Sequence, residues 1–437
     1  MYSTGGIADR FAKLVAGVEE KVDGPLPAAV RFWDGSEVGP GDSGPTEDTI
    51  IVRDPRALQY AVMRPDQLGI GRAWVAGDVD LEGDLYRVMS KGSRLYGFDF
   101  TLGEKLRAFL TAVSLGAIRI PPPKPPEVEA KPKGRLHSLG RDREVISHHY
   151  DVSNDFYRMF LGPTMVYSCA YFTDPTDSLE RAQERKLDVI CRKLHLEPGE
   201  RMLDIGCGWG SLLIHAARNY GVRGVGVTLS DEQAEYARAA IREAGLSDSL
   251  EVRVQDYREV ADGPYDKVVS VGMFEHVGAS QLDRYMEVTR ELVRPGGLAL
   301  HHGICQIHAD EDMPNTFIEH YVFPDGELHP VNHVIAALER SGQELRDAES
   351  MREHYALTLR HWVANLEARR EDAISEVGEQ RERVWRLYMA ASALAFERGD
   401  VSIFQLLAAV PEEDHQLELA RPQYVAEDFE PSFVETG

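Results

Sequence analysis

The sequence predicts an α/β protein, a doubly wound parallel sheet preceded by a small α+β domain. Three observations lead there. From residue 201 onward, short apolar runs alternate with helical patterns, placing strands at 201–205, 222–227, 250–255, 266–272 and 297–303 and helices starting near 211, 230 and 279. The first strand, Arg201-Met-Leu-Asp-Ile205, passes through Gly206, Gly208 and Gly210 into the helical run at Ser211, the corner at which such sheets bind ligands. The length of 437 residues also exceeds the usual size of one domain.

Taken in order, the chain opens with apolar residues at helical spacing over 7–22 (Ile7, Phe11, Leu14, Val15, Val18, Val22). Strands are expected at 29–33 and 49–53 around the Gly/Pro/Asp-rich stretch 35–47, with mixed segments to about 98. The glycines and acids of Gly69–Asp80 fit no EF-hand and read as turn plus strand. Residues 104–120 carry an apolar face (Leu106, Phe109, Leu110, Val113) flanked by Lys105, Arg107 and Arg119. Pro121-Pro-Pro-Lys-Pro-Pro126 then reads as an extended linker rather than a packed element. The basic residues scattered over 105–143 admit two readings, a membrane-surface patch or a solvated linker beside a docked helix. The expected domains are therefore 1–120, a linker at 121–139, and a catalytic domain over 140–437. Within the last, about 307–398 is mostly helical and reads as a lid over the sheet's ligand edge, before a final strand from Val401.

Composition narrows the function. A formal charge of −24 disfavours nucleic acid, and any contact with an anionic bilayer must rest on local features. Cysteines 169, 191, 207 and 305 form no C-x-x-C pair, so neither a zinc site nor a disulfide framework is expected. There is no run of eighteen apolar residues, and the first residues lack the pattern of a secretory signal. The expected location is cytoplasmic, in peripheral contact with the inner face of the membrane.

The spacing G-x-G-x-G differs from the dinucleotide pattern G-x-G-x-x-G, and no P-loop lysine follows. It resembles the first motif of S-adenosylmethionine (SAM)-dependent methyltransferases, in which the loop carries the amino-acid end of the cofactor; Asp204, Gly206, Gly208 and Gly210 are the candidates here. Where many such enzymes place an acid after the second strand, Thr228 and Gln233 are the polar residues. After the third strand, Asp256 and Tyr257 offer an acceptor and a ring for an adenine. Glu275 and His276 follow the fourth. Upstream, His148-His-Tyr-Asp-Val-Ser-Asn-Asp-Phe-Tyr157 and Tyr167-Ser-Cys-Ala-Tyr-Phe172 add polar groups and rings.

Together HHYDVSNDFY, YSCAYF, LDIGCGWG, VGVTLSDEQ, GMFEHVG, FPDGELHP and HYALTLRHW resemble the cyclopropane-fatty-acyl-phospholipid synthases and the related mycolic-acid and tuberculostearic-acid methyltransferases. The resemblance is dense over about 140–437 and looser before it. It implies a SAM-dependent methyltransferase sheet, with Tyr167 and Ser168 beside the cofactor, and methyl transfer to a cis double bond of a phospholipid acyl chain. It further implies a bound bicarbonate as base, on Cys169, Glu275, His301, Tyr355 and the Gly303 amide. Relatives read His-Thr-Ile where this chain has His301-His-Gly-Ile-Cys305. Glu144, just before HHYD, is a second candidate base. The product is then a cyclopropane or, as in tuberculostearic acid synthesis, an exo-methylene group that a separate reductase would saturate; the position of proton loss decides. The altered tripeptide, Glu144 and residues 77–83 lean toward the tuberculostearic branch, and the bicarbonate ligands toward the cyclopropane synthases. A soluble small-molecule O- or N-methyltransferase is the rival class. The sequence leaves the oligomeric state open, a homodimer included.

Overall fold

The computed structural model describes residues 6–21, 25–39, 47–92, 101–118, 122–130, 141, 152–307 and 316–412. The chain forms two compact units, one of residues 1–165, 310–326 and 353–400, the other of 166–309, 327–352 and 401–437.

The second unit holds the large sheet. Its strands are β5 (Arg201–Ile205), β6 (Arg223–Thr228), β7 (Leu250–Val254), β8 (Tyr265–Val271), β9 (Val293–Gln306), β10 (His329–Pro330), β11 (Glu344–Ser350) and β12 (Val401–Ala409). They lie in the order β11-β12-β9-β8-β5-β6-β7, with β10 paired to β9. The run β9-β8-β5-β6-β7 is parallel, and β12 and β11 close the other end antiparallel. The strand order reverses beside β5, which makes its C-terminal end the switch point of the sheet. The five parallel strands fall where the apolar runs placed them.

Each face of the sheet has its own core, because successive strand residues point to opposite sides. Leu203, Val268, Ala299 and Cys305 pack with Tyr285 and Met286 of helix Leu282–Leu292 and with Val334 and Leu338 of helix Val331–Arg340. Met202, Val269 and Leu300 pack with Ile190 of helix Leu179–Lys193 and Leu213 of helix Ser211–Tyr220. Helix Ser211–Tyr220 comes close because β6 carries glycines. A Cβ on Gly226 would stand 2.6 Å from Leu213 Cδ1 and 2.8 Å from Cys207 Sγ.

The first unit contains the four-stranded sheet β2-β1-β3-β4, made of β1 (Ala29–Arg31), β2 (Glu37–Val38), β3 (Thr49–Val52) and β4 (Val79–Glu82). Helices Arg352–Ala368 and Glu379–Arg398, expected within the catalytic domain, pack in this unit. Buried Arg383 reaches Asp80 of β4 at 3.1 Å, and Trp74 Nε1 donates to the Arg383 carbonyl at 3.0 Å. The proline-rich stretch is also docked, against the expectation of a solvated linker. Glu129 takes two hydrogen bonds from Arg72, at 2.8 and 2.6 Å, and one from Tyr321 at 2.9 Å. Tyr60 donates to the Lys124 carbonyl at 2.6 Å. Proline fixes an extended backbone, but its neighbours' carbonyls and side chains remain free to dock.

Candidate active site

The glycine loop leaves β5 and enters helix Ser211–Tyr220 with Gly206, Gly208 and Gly210 all in the left-handed region, at φ of 77°, 53° and 82°. That backbone strains any residue with a Cβ. A Cβ built on Gly206 or Gly208 would meet nothing within 4 Å, so these two positions line an open cradle that a side chain would fill. The helix start suits an anionic group. The cradle fits the amino-acid end of SAM.

The neighbouring candidates are distributed as follows. Asp204 is buried on β5, and burial pushes its carboxyl up to about 7 against the opposing charge of Lys186. Thr228 donates to Gln233 Oε1 at 2.8 Å, so these two polar side chains hold each other at the start of helix Asp231–Glu243. The Asp256 carboxylate is bridged by Arg258, at 2.8 and 2.7 Å, at the start of its own turn. Tyr257 is buried, edge-on to Tyr285 with the Arg258 guanidinium over its ring.

Tyr167, Ser168 and Cys169 follow one another on a loop clamped by helix Leu179–Lys193. Gln183 Nε2 donates to the Ser168 carbonyl at 2.8 Å, and Lys186 Nζ donates to Ser168 Oγ at 2.9 Å. Cys169 is fully buried, its thiol pointing to the Ala170 carbonyl at 3.3 Å and the Met351 carbonyl at 3.8 Å. All four cysteines are buried thiols outside any disulfide, and no cluster of metal-ligating side chains occurs among the described residues.

Glu275 is buried just beyond β8. Its Oε1 accepts the Ile304 amide at 2.9 Å, while Oε2 has no partner among the described residues. Burial raises this carboxyl to about 7 despite the amide.

The two histidines of β9 face opposite ways. His301 lies on the side of Ala299 and Cys305, with Nδ1 3.1 Å from the Tyr285 hydroxyl; burial lowers its imidazole to about 4, opposed by the Gln343 side chain. His302 lies on the side of Leu300, with Nδ1 3.2 Å from Gln405 Nε2. Burial and the charges of Lys186 and Lys193 hold it neutral, well below the usual imidazole range. Since Lys186 also acts on Cys169 and Asp204, the structure brings His302, and not His301, to the face that carries Cys169. The signal was present in the sequence: the alternation of Leu298, Leu300 and His302 with Ala299 and His301 assigns the faces. Gly303 turns toward the Phe274 ring, where a Cβ would stand 2.5 Å from ring carbons. The β9 amide engaged by Glu275 is that of the next residue, Ile304.

Tyr355 belongs to the first unit, on helix Arg352–Ala368, with its ring 4.7 Å from Phe396 and 5.9 Å from Trp362. Glu144, His148 and His149 lie outside the described residues.

A parallel sheet with this strand order, and with a glycine cradle at its switch point, defines a SAM-dependent methyltransferase. The chain belongs more narrowly to the family described as mycolic acid cyclopropane synthetase, whose model matches residues 137–406. It is 41% identical to a probable fatty acid methyltransferase of Mycobacterium tuberculosis, over 88% of this chain and 91% of that protein. It is 35% identical to the tuberculostearic acid methyltransferase of the same organism, over 87% of each. Among solved structures, a mycolic acid cyclopropane synthase complexed with SAH and CTAB aligns with a TM-score of 0.58 and 32% identity, covering 61% of this chain and 97% of that one.

Proposed function

We propose that this enzyme methylates the cis double bond of an unsaturated fatty acyl chain, carried on a phospholipid, and that the product is a cyclopropane. The observation that carries the reading is Glu275, a buried carboxyl with a partnerless oxygen and a raised pKa. Methylation of an amine or hydroxyl of a soluble molecule releases its proton readily to solvent. Methylation of an alkene leaves a carbocation that water would quench, so the proton acceptor must sit in a dry site. Buried acid–base groups are what that reaction requires.

SAM supplies an electrophilic methyl group on a sulfonium, held in this reading by the loop Gly206–Gly210 with Asp204, Tyr167 and Ser168, and by Thr228, Gln233, Asp256 and Tyr257 around the nucleoside. The π pair of the alkene forms the new C–C bond while the methyl–sulfur pair returns to sulfur, and the neighbouring chain carbon becomes cationic. Loss of a proton from the transferred methyl then closes the ring with the C–H electron pair. Bicarbonate, where it serves as base, would be held by Cys169, Glu275 and His302. A carboxyl beside an anion must itself be protonated, which the burial of Glu275 favours. The choice of His302 over His301 follows from the strand faces.

A second reading is supported by the tuberculostearic relative, which matches over 87% of this chain, N-terminal part included. There a hydride moves from the methylated carbon to the cationic neighbour before the methyl loses its proton, leaving an exo-methylene group for a separate reductase. Glu144 would be the base. One experiment separates the readings: mass spectrometry of phospholipids incubated with enzyme and SAM, with and without dissolved carbonate. The cyclopropane reading predicts a gain of one CH2 per unsaturated chain with no new olefin, and turnover that falls when carbonate is stripped. An exo-methylene product made at full rate without carbonate, and lost in Glu144→Gln, would replace it; methylation of the headgroup alone would end both.

A phospholipid substrate asks for contact with a bilayer, and no helix among the described residues is long and apolar enough to cross one. Helix Leu102–Ser114 buries Ala112 at 2% exposure while leaving Leu106, Phe109, Leu110 and Val113 42–57% exposed. Small side chains inside and large apolar ones outside invert the usual arrangement, which suits peripheral docking through this face.

A further inference from the structure

Helix Leu179–Lys193 turns an amphipathic face to the sheet, and that face is not wholly apolar. Leu179, Ala182, Leu187 and Ile190 are buried on it, yet so are Gln183 and Lys186, at 0% and 2% exposure. A buried ammonium is unfavourable unless its surroundings compensate it, and a methionine would fill the same space without that cost. Lys186 stands in no salt bridge among the described residues, and burial draws its ammonium down to about 8. Its hydrogen bond goes to a hydroxyl, Ser168 Oγ at 2.9 Å, while Gln183 one turn earlier holds the Ser168 carbonyl at 2.8 Å and the Val166 carbonyl at 3.4 Å. Two side chains of one helix thus grip three polar groups of the Val166–Ala170 loop. Around the ammonium stand Cys169 of that loop, Cys191 of its own helix, Asp204 of β5, His215 of helix Ser211–Tyr220 and His302 of β9.

We propose that Lys186 is a positioning residue for methyl transfer: through Ser168 it fixes the Val166–Ala170 loop against β5, so that Tyr167, Ser168 and Cys169 keep one orientation relative to the glycine cradle. This rests on the reading of that loop as part of the methyl donor's site. The charge explains why a lysine serves where a neutral donor of similar length would satisfy the serine alone. A charge-assisted bond in a dry site is about twice as strong as a neutral one, and the same ammonium steadies the buried Asp204 carboxylate.

The test is a double-mutant cycle on the full chain, with Lys186→Met, Ser168→Ala and both together. Binding of S-adenosylhomocysteine is measured by calorimetry, and KM and kcat for SAM on unsaturated phospholipid vesicles. Loss of a hydrogen bond to a charged group corresponds to roughly a tenfold to hundredfold weaker complex. Lys186→Met is expected to raise Kd and KM by that factor with a smaller fall in kcat, and the double variant to bind no more weakly than Lys186→Met alone. A folded Lys186→Met protein with wild-type Kd and KM overturns the proposal, and so do effects that multiply independently in the double variant. Should Lys186→Met not fold, Ser168→Ala carries the test, and unchanged binding in that variant overturns it equally. A wild-type protein that binds no S-adenosylhomocysteine would instead refute the reading of the loop as a donor site.

Discussion

The two faces of the large sheet are built from the same strands and have opposite chemistry. Toward helices Leu282–Leu292 and Val331–Arg340 the strands present Leu203, Val268, Ala299 and Cys305, and the polar groups there, His301, Tyr285, Thr289 and Gln343, bond among themselves or to nearby carbonyls. Toward helix Leu179–Lys193 the sheet presents Asp204, His302 and Gln405 beside Lys186 and Lys193, and burial pushes Asp204, His302 and Lys186 away from their ordinary values. The first is a core that happens to contain polar atoms. The second is the face on which the proposed reading sets the reaction; burial perturbs titration on both faces, His301 included, and the second adds the buried Lys186 and Asp204. A one-residue step along β9 moves a histidine from one to the other.

The largest effect that would sharpen this contrast is expected at the loop capping β5. Gly208→Val places a branched side chain in the open cradle and at a φ of 53°, which valine resists. SAM affinity should fall roughly a hundredfold or more, the equivalent of a few lost hydrogen bonds, in a protein that circular dichroism shows to be folded. Unchanged affinity by calorimetry would remove the cradle from the site.

A smaller effect concerns Glu275, just beyond the C-terminal end of β8. Burial raises its carboxyl to about 7 in the folded chain, from an ordinary value of 4.5. Between those pH values the folded state holds a proton that the unfolded state has released, so this group's contribution to stability falls as pH rises from about 4.5 through 7 and stays low above it. Glu275→Gln should be nearly neutral to stability at pH 5 and should gain on the wild type above pH 7, while losing turnover at every pH. Parallel wild-type and variant stability curves across pH 4.5–8 would show that the carboxyl is not in a dry site.

What the sequence revealed follows from how strongly each element is determined locally. The parallel strands β5 to β9 were readable because burial on both faces demands continuous apolar runs, and the glycine loop because its backbone admits few other residues. Strand β11, Glu-Leu-Arg-Asp-Ala-Glu-Ser, was hidden inside the expected helical lid. It is an edge strand in which four of seven residues are charged, and only its pairing with β12 makes it a strand. The docking of Glu129 onto Arg72 and Tyr321 joins residues that are 57 and 192 positions apart, a contact that no local pattern records. At the site, motif membership singled out Cys169 and Glu275 as candidates, whereas the choice within His301-His302 depends on which strand face each occupies. Lys186 was missed because one lysine on an amphipathic helix reads as a solvated charge.

The most direct test of the account is therefore the pair of adjacent variants His301→Gln and His302→Gln, compared in kcat/KM for SAM on unsaturated phospholipid and in thermal stability. His302→Gln is expected to lose roughly 100-fold or more in kcat/KM, as removal of a group that holds the base should, and to cost about 1–3 kcal/mol of stability as the buried Gln405 amide loses its partner. His301→Gln should cost about 1–3 kcal/mol of stability, because the buried Tyr285 hydroxyl loses its partner, and should keep most of its kcat/KM while folded. The reverse pattern, with turnover lost at His301 and retained at His302, would contradict the assignment of the reaction to the lysine-lined face.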